Sequence, residues 1–372
     1  MATLSDDAVK DLLDRCRRDI DEGVLPSCQV ALALEGEVVV QEAFGDTTTD
    51  TRYTVYSATK PFVAATVWQL ISDGLVEVER RAAEYVPEFA SHGKDVVTVE
   101  QVMLHTGGFP QAPLRHPEWA TSAGRLEAFA RWRLNWEPGT AYEYHPTSAH
   151  WVLAEIINAV TGHDYRDVVA ERVTGPLGLP RVLGLPADHQ DGIATVAVWG
   201  EPTDPDVLEA AIGVRQVEVG EVTDEALLSF NRPEVRAVGV PGGGGIMRAA
   251  DLALFHQALL HNPGELWDPA LLADVTGHVR NRLPDRMTAM PANRTLGLVQ
   301  AGDDGLGPFR GFGRTASPRA FGHNGAGGQV AFADPATGLS LGYCTNGLDA
   351  DVLRQWRRTS SIASRAAVCA VA

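Results

Sequence analysis

Strand-like segments in this chain cluster toward its two ends, and most of what lies between reads as helix. Cys28–Glu35 and Glu37–Ala43 flank a Glu35-Gly36 turn and predict a hairpin. Gln329–Ala333 and Leu339–Cys344 predict another around Asp334–Gly338. Ile193–Trp199 and Val214–Val219 are further strand candidates. A sheet drawn from both ends of a chain closes around whatever is inserted between them. The expected fold class is therefore α+β, an antiparallel sheet flanked by helices with a mostly helical lobe inserted. Residues 1–56 and 190–372 would form the α/β lobe and residues 57–189 the helical one, together a single catalytic unit of 372 residues.

The helical signals are local and specific. Ala8–Ile20 carries Val9, Leu12, Leu13, Cys16 and Ile20 at helical spacing, an amphipathic surface helix. Thr98-Val99-Glu100-Gln101 has the capping-box pattern. Ser148–Val160 predicts a helix stopped at Thr161-Gly162, Asp251 would cap Leu252–Leu260, and Ala350–Ala370 would be the last helix. Gly107–Pro117, rich in glycine, proline and histidine, reads as a surface loop.

Composition removes several function classes. The net charge of −17 argues against nucleic acid or an anionic membrane as partner. No apolar run is long enough to span a bilayer, and Met1–Glu22 is charged throughout, so neither a membrane segment nor a signal peptide is expected. Cys16, Cys28, Cys344 and Cys369 are scattered without a C-x-x-C pair and read as reduced thiols of a cytoplasmic protein. His145 and His150, like His256 and His261, are five apart, which is not the helical i, i+4 pair of a zinc site. No metal or cofactor is expected.

The chain has 28 arginines and three lysines, Lys10, Lys60 and Lys94. Arginine stays charged in proteins, whereas a lysine can lose its proton on burial, so each retained lysine is a candidate base. Lys60 closes Ser57-Ala58-Thr59-Lys60, followed by the apolar run Pro61–Ile71 that stops at Asp73-Gly74. A harmless proline must fall in a helix's first turn, which puts the start near Ala58 and Ser57 at or beside the N-cap. Residues three apart share a helix face, so the Lys60 amine can reach the Ser57 hydroxyl. Ser57 then reads as a nucleophile activated by an adjacent base, or simply as a capping serine. A second such tetrad, Ser91-His92-Gly93-Lys94, has a glycine inside it and no apolar run to hold it on a helix, and is not taken as catalytic.

Four stretches in order separate the first tetrad from the second. They are Tyr53–Lys60; Val97–Gly108, similar to a "TVxxLLxHTSG" stretch; Trp136–Thr140 with Tyr142-Glu143-Tyr144, similar to "PGxxxxYS"; and Gly242–Gly245 with Asp251-Leu252-Ala253. A fifth, Gly322–Gly328, completes the set. Through these the chain resembles the serine β-lactamase and penicillin-binding-protein superfamily, in the branch holding class C β-lactamases, D-aminopeptidases and family VIII carboxylesterases. The resemblance implies an active site between the two lobes. Ser57 would be the acylated nucleophile, Lys60 would take its proton, and Tyr144 would complete the base and protonate the leaving group, with Tyr142 as its nearest rival. The backbone N–H groups of Ser57 and Ala326 would form the oxyanion hole, in a third element built from His323, Asn324 and Gly325.

Two departures from that family matter. Pro146 stands where the Tyr-x-Asn asparagine would be and offers no side-chain amide. His323 and Asn324 stand where Lys-Thr would be, and a histidine near neutrality grips a substrate carboxylate more weakly than a lysine does. The expected activity is an acyl-enzyme hydrolase of a small ester or amide, not primarily a β-lactamase. An acyltransferase passing the same acyl group to an amine or alcohol is the alternative, and a non-catalytic binding protein is a third reading. The oligomeric state is left open.

Overall fold

The order of the central sheet joins the two ends of the chain. The computed structural model describes residues 3–217 and 220–371. Its sheet consists of β1 (Ser27–Leu34), β2 (Glu37–Gly45), β3 (Val299–Gln300), β4 (Phe321–Gly322), β5 (Val330–Asp334) and β6 (Leu339–Thr345) in the order β2-β1-β6-β5-β4-β3. Every pairing is antiparallel. At its centre Cys28 lies opposite Thr345 and Ala33 opposite Ser340. β1 and β6 are buried along their whole length because helices cover both faces.

Alternate residues of those strands face different helices. Cys28, Val30 and Leu32 pack with Leu341 and Tyr343 against Leu12 and Cys16 of α1 (Asp6–Asp21), and against Ile362 and Ala366 of the last helix. Ala31 and Ala33 face the other way, into a larger core shared with the helix Lys60–Ser72, here α2, and with α3 (Ser148–Thr161). On that side α4 (Ala249–His261) runs across the sheet so closely that a Cβ on Gly342 would sit 2.0 Å from the Ala249 carbonyl oxygen. The last helix, α5, covers Val352–Ala366.

Both predicted hairpins and the Thr98–Gln101 capping box form, the latter with reciprocal bonds of 3.0 and 3.2 Å. Gly162 ends α3 in the left-handed conformation, as its position suggested. Four expectations need correction. Gly107–Pro110 is buried, because Phe109 stacks among Phe89 and Trp132 and its carbonyl accepts the Ser148 hydroxyl at 2.9 Å. Asp251 is three residues inside α4, where its carboxylate accepts the Arg248 N–H at 2.8 Å; this reverse half of a capping box lets the helix start earlier. The strand near Ile193 is shorter, Ala197–Trp199, and pairs in parallel with Gly347–Asp349. Val214–Val217 forms no strand, and Glu218 and Val219 lie outside the described residues. Among the described residues no helix is long and apolar enough to cross a membrane.

Candidate active site

The Ser57 region differs from the expected N-cap. Tyr56–Thr59 is a 3₁₀ turn, and the α-helix begins at Lys60. In a 3₁₀ turn residues three apart eclipse one another, so the tetrad is held more directly face to face than an α-helix would hold it. Tyr56 carries a positive φ of 46°, a conformation that costs on the order of 1–3 kcal/mol and persists only under external restraint. Its ring meets Phe230 edge-on at 5.5 Å, and its hydroxyl donates to the Leu227 carbonyl at 3.2 Å. From Tyr53 to Leu70 every residue is buried except Ser57, which the turn lifts to partial exposure.

Lys60 is fully buried, with Nζ 3.1 Å from the Ser57 hydroxyl oxygen, 2.7 Å from the Pro146 carbonyl and 2.5 Å from the Gly242 carbonyl. Carbonyl oxygens only accept, so two of the amine protons are committed to them. Burial, reinforced by the Arg294 charge, holds the Lys60 pKa well below its ordinary value. A neutral amine in this geometry points its lone pair at Ser57. The glycine run makes the approach possible: a Cβ on Gly242 would lie 2.8 Å from the Pro146 oxygen, and one on Gly245 would lie 2.5 Å from the Thr59 hydroxyl.

Tyr142 and Tyr144 are both buried but differently engaged. The Tyr142 hydroxyl accepts from Arg294 Nε at 2.7 Å. The Tyr144 hydroxyl is sealed from solvent with no hydrogen-bond partner among the described residues, although Ser57 is near enough to favour its ionised form. Burial raises the Tyr144 pKa, and the guanidinium of Arg294, 4.9 Å from the ring centre, opposes the rise. Lys60 Nζ lies 5.0 Å from the same ring centre.

His323 is neutral, and its partners fix the tautomer. Nδ1 lies 2.8 Å from the Asn324 carbonyl and must donate to it; Nε2 lies 3.3 Å from Arg294 Nη1 and must accept. Burial, Arg294 and Lys60 push its pKa well down. Asn324 is turned to architecture: its amide donates to the Gly311 carbonyl at 3.2 Å, and its oxygen accepts the Ala331 N–H at 3.1 Å. Gly325 brings this segment against the chain just before Ser57, since a Cβ there would stand 2.1 Å from the Val55 carbonyl oxygen. Ala326 opens a 3₁₀ turn, so its N–H has no partner in that turn. Neither the Ser57 nor the Ala326 N–H finds an acceptor among the described residues.

Sequence reasoning missed two groups. Arg294 is 7% exposed, contacts Tyr142 and His323, and has no carboxylate partner among the described residues. Nothing in its local sequence marks it, because it reaches the site from the irregular segment between the helix Pro269–Gly277 and β3. His105, His145 and His150 form a buried imidazole group, with the His105 ring 4.9 Å from Tyr144. The His145 ring bridges the Glu143 carbonyl at 2.7 Å and the Phe109 N–H at 3.1 Å, and burial pushes its pKa down to about 3. His105, whose Nδ1 accepts the His145 N–H at 3.2 Å, and His145 hold the tyrosine loop in place as neutral hydrogen-bonding groups, while neither ring nitrogen of His150 has a partner among the described residues.

Comparison with known proteins agrees with this architecture. The beta-lactamase family profile matches residues 6–364. The esterase/beta-lactamase LipL of Mycobacterium tuberculosis is 30% identical over 321 residues, 79% of this chain and 69% of that protein. The crystal structure of a family VIII carboxylesterase superposes with a TM-score of 0.76 at 26% identity, covering 98% of this chain and 99% of the other. A penicillin-binding-protein homolog from Caulobacter crescentus superposes at 0.77 with 25% identity, covering 97% and 98%. This chain belongs to the beta-lactamase family, the serine hydrolases that share this fold with penicillin-binding proteins and family VIII esterases.

Proposed function

We propose that the protein hydrolyses a small ester or amide through an acyl-enzyme on Ser57. The observation that carries this reading is the Lys60 amine: buried, held by two carbonyls, and 3.1 Å from a partly exposed serine oxygen. Lys60 Nζ takes the proton as Ser57 Oγ attacks the substrate carbonyl carbon. The resulting oxyanion accepts from the Ser57 and Ala326 N–H groups, which are otherwise without acceptors. Collapse of the intermediate expels the leaving group, which takes a proton from Tyr144, and leaves the acyl group on Ser57. Water, activated by the same lysine and tyrosine, then releases the acid. What supports Tyr144 over Tyr142 is that the Tyr142 hydroxyl is already bonded to Arg294.

Two features support esters over β-lactams. Pro146 offers only a carbonyl, and that carbonyl is taken by Lys60. His323 is neutral and is engaged at both ring nitrogens. A fluorophosphonate probe should label the wild-type protein at Ser57 and leave Ser57→Ala unlabelled. Equal labelling of both proteins would remove Ser57 from the mechanism.

A further inference from the structure

A cavity of about 770 Å³ lies beside the segment that carries Ala326, between α5 and the chain from Gly305 to Thr315. Asn324 and Gly325 are among its lining residues, and Gly325 is the residue before Ala326. Its charge is unlike that of the rest of the molecule. Among the described residues four arginines and no carboxylate line it, in a chain whose net charge is −17.

The four arginines are not equivalent. Arg310 is neutralised by Asp304, with contacts of 2.6 Å from both of its terminal nitrogens, and Arg365 lies 2.8 Å from Asp11. Arg314 and Arg357 are exposed, and their guanidinium groups have no hydrogen-bond or carboxylate partner among the described residues. Two large aromatic side chains stand at the same cavity without a core to enter: Phe309 is 66% exposed and Trp356 is 42% exposed. The Gln355 amide and the Ser360 hydroxyl also line it without donating to any protein group among the described residues. Exposed aromatics next to unpaired guanidiniums make a surface suited to a planar apolar group that carries negative charge.

We propose that this cavity anchors the substrate and that its ligand is an aromatic anion. The ring lies against Phe309 and Trp356, its carboxylate or phosphate is held by Arg314 and Arg357, and the reactive carbonyl extends past Asn324 and Gly325 toward Ser57. The site stands on the cavity alone. Only the direction of the reactive end rests on the reading of Ser57 as nucleophile.

The test has two arms. In the first, full-length Ser57→Ala protein is titrated calorimetrically with 2-naphthoate, 2-naphthyl phosphate and neutral 2-naphthamide. At least one anion should bind at least tenfold more tightly than the amide, and the tighter anion identifies the charged group. Arg314→Gln/Arg357→Gln in the same background should bring the anion to the amide's affinity with an unchanged melting temperature. Trp356→Ala should weaken all three ligands. Equal affinity for anion and amide, no binding at all, or no effect of the double substitution would overturn the proposal. In the second arm, active protein cleaves 4-acetoxybenzoate and phenyl acetate, and the double substitution should lower the ratio of their kcat/KM values about tenfold. Anion binding in the first arm with an unchanged ratio in the second would overturn the placement of substrate there. Loss of all Ser57-dependent cleavage with anion binding intact would instead count against the hydrolase reading.

Discussion

Two serine–lysine pairs in this chain have the same 3.1 Å contact, Ser57 with Lys60 and Ser91 with Lys94. In both, the amine also donates to two backbone carbonyls, and Lys94 is itself pushed down to about 8 by burial. What differs is the serine. The Ser91 hydroxyl donates to the Ala130 carbonyl at 2.7 Å, so its proton is committed away from the lysine. Among the described residues the Ser57 hydroxyl donates to no carbonyl, and the backbone N–H beside it has no acceptor. Lysine scarcity singled out three lysines, of which Lys60 and Lys94 are buried, and the context of the tetrad, not the tetrad itself, told those two apart. Arg294 was illegible because its role comes from a long-range approach that no spacing encodes. Its effect has a sign that can be measured. In the proposed mechanism Lys60 acts as the neutral base, so kcat/KM should rise with pH along a limb belonging to Lys60 and lying well below the ordinary lysine value. Arg294 helps to lower that pKa, so Arg294→Gln should move the limb to higher pH in a pH–rate profile; an unmoved limb would deny the coupling. Lys60→Arg keeps the charge but cannot act as a base, and p-nitrophenyl acetate cleavage should fall by about 10²–10⁴-fold.

Among the elements, those with strong local rules were readable: the two hairpins, the Thr98–Gln101 box and the Gly162 stop all follow from turn and cap chemistry. The 3₁₀ turn before α2 was not, because Tyr56 takes its left-handed conformation from distant contacts with Phe230 and Leu227. The loop at Gly107–Pro110 misled for a related reason. Its glycines and proline signal a turn, but Phe109 decides its burial. The tyrosine loop has its own consequence: with Pro146 bonded to Lys60, a β-lactam's acylamino group loses its usual partner. Nitrocefin should therefore turn over slowly beside p-nitrophenyl acetate, and comparable kcat/KM values would contradict that use of the loop. The contact between β6 and α4 makes a structural prediction. Gly342→Val would drive a side chain into the Ala249 backbone, and overpacking of this kind costs on the order of 1–3 kcal/mol. Because backbone yields less than side chain, the loss should be about 3 kcal/mol in denaturant unfolding, with activity per folded molecule retained.

At the scale of the molecule, the larger core ignores the division into lobes. It runs from Ala31 and Ala33 of the sheet through Phe62 and Trp68 of α2 to Phe89, Trp132 and Trp151 among the inserted helices. The tryptophans tie it together: Trp68 donates to the Leu296 carbonyl at 2.8 Å, and Trp267 to the Ala65 carbonyl at 3.0 Å. Urea unfolding followed by tryptophan fluorescence and by esterase activity should then give coincident transitions, and two separated transitions would show lobes that melt independently. The α+β pattern was legible from strand placement, but this continuity was not, because it depends on which faces meet.

The central pairing of β1 with β6 has a consequence in time. Ser57, the proposed nucleophile, is synthesised long before β6, the strand that pairs with β1 and ends at Thr345. Synthesis proceeds at about 5–20 residues per second, so the serine waits many seconds before the sheet behind it can close. For most of that interval the segment bearing Ala326 does not yet exist, and the strand β5 that follows it has no β6 to pair with, so the two proposed oxyanion donors cannot be brought together. On the proposed mechanism, acylating power therefore waits for β6, and a nascent chain that lacks this strand carries Ser57 unarmed.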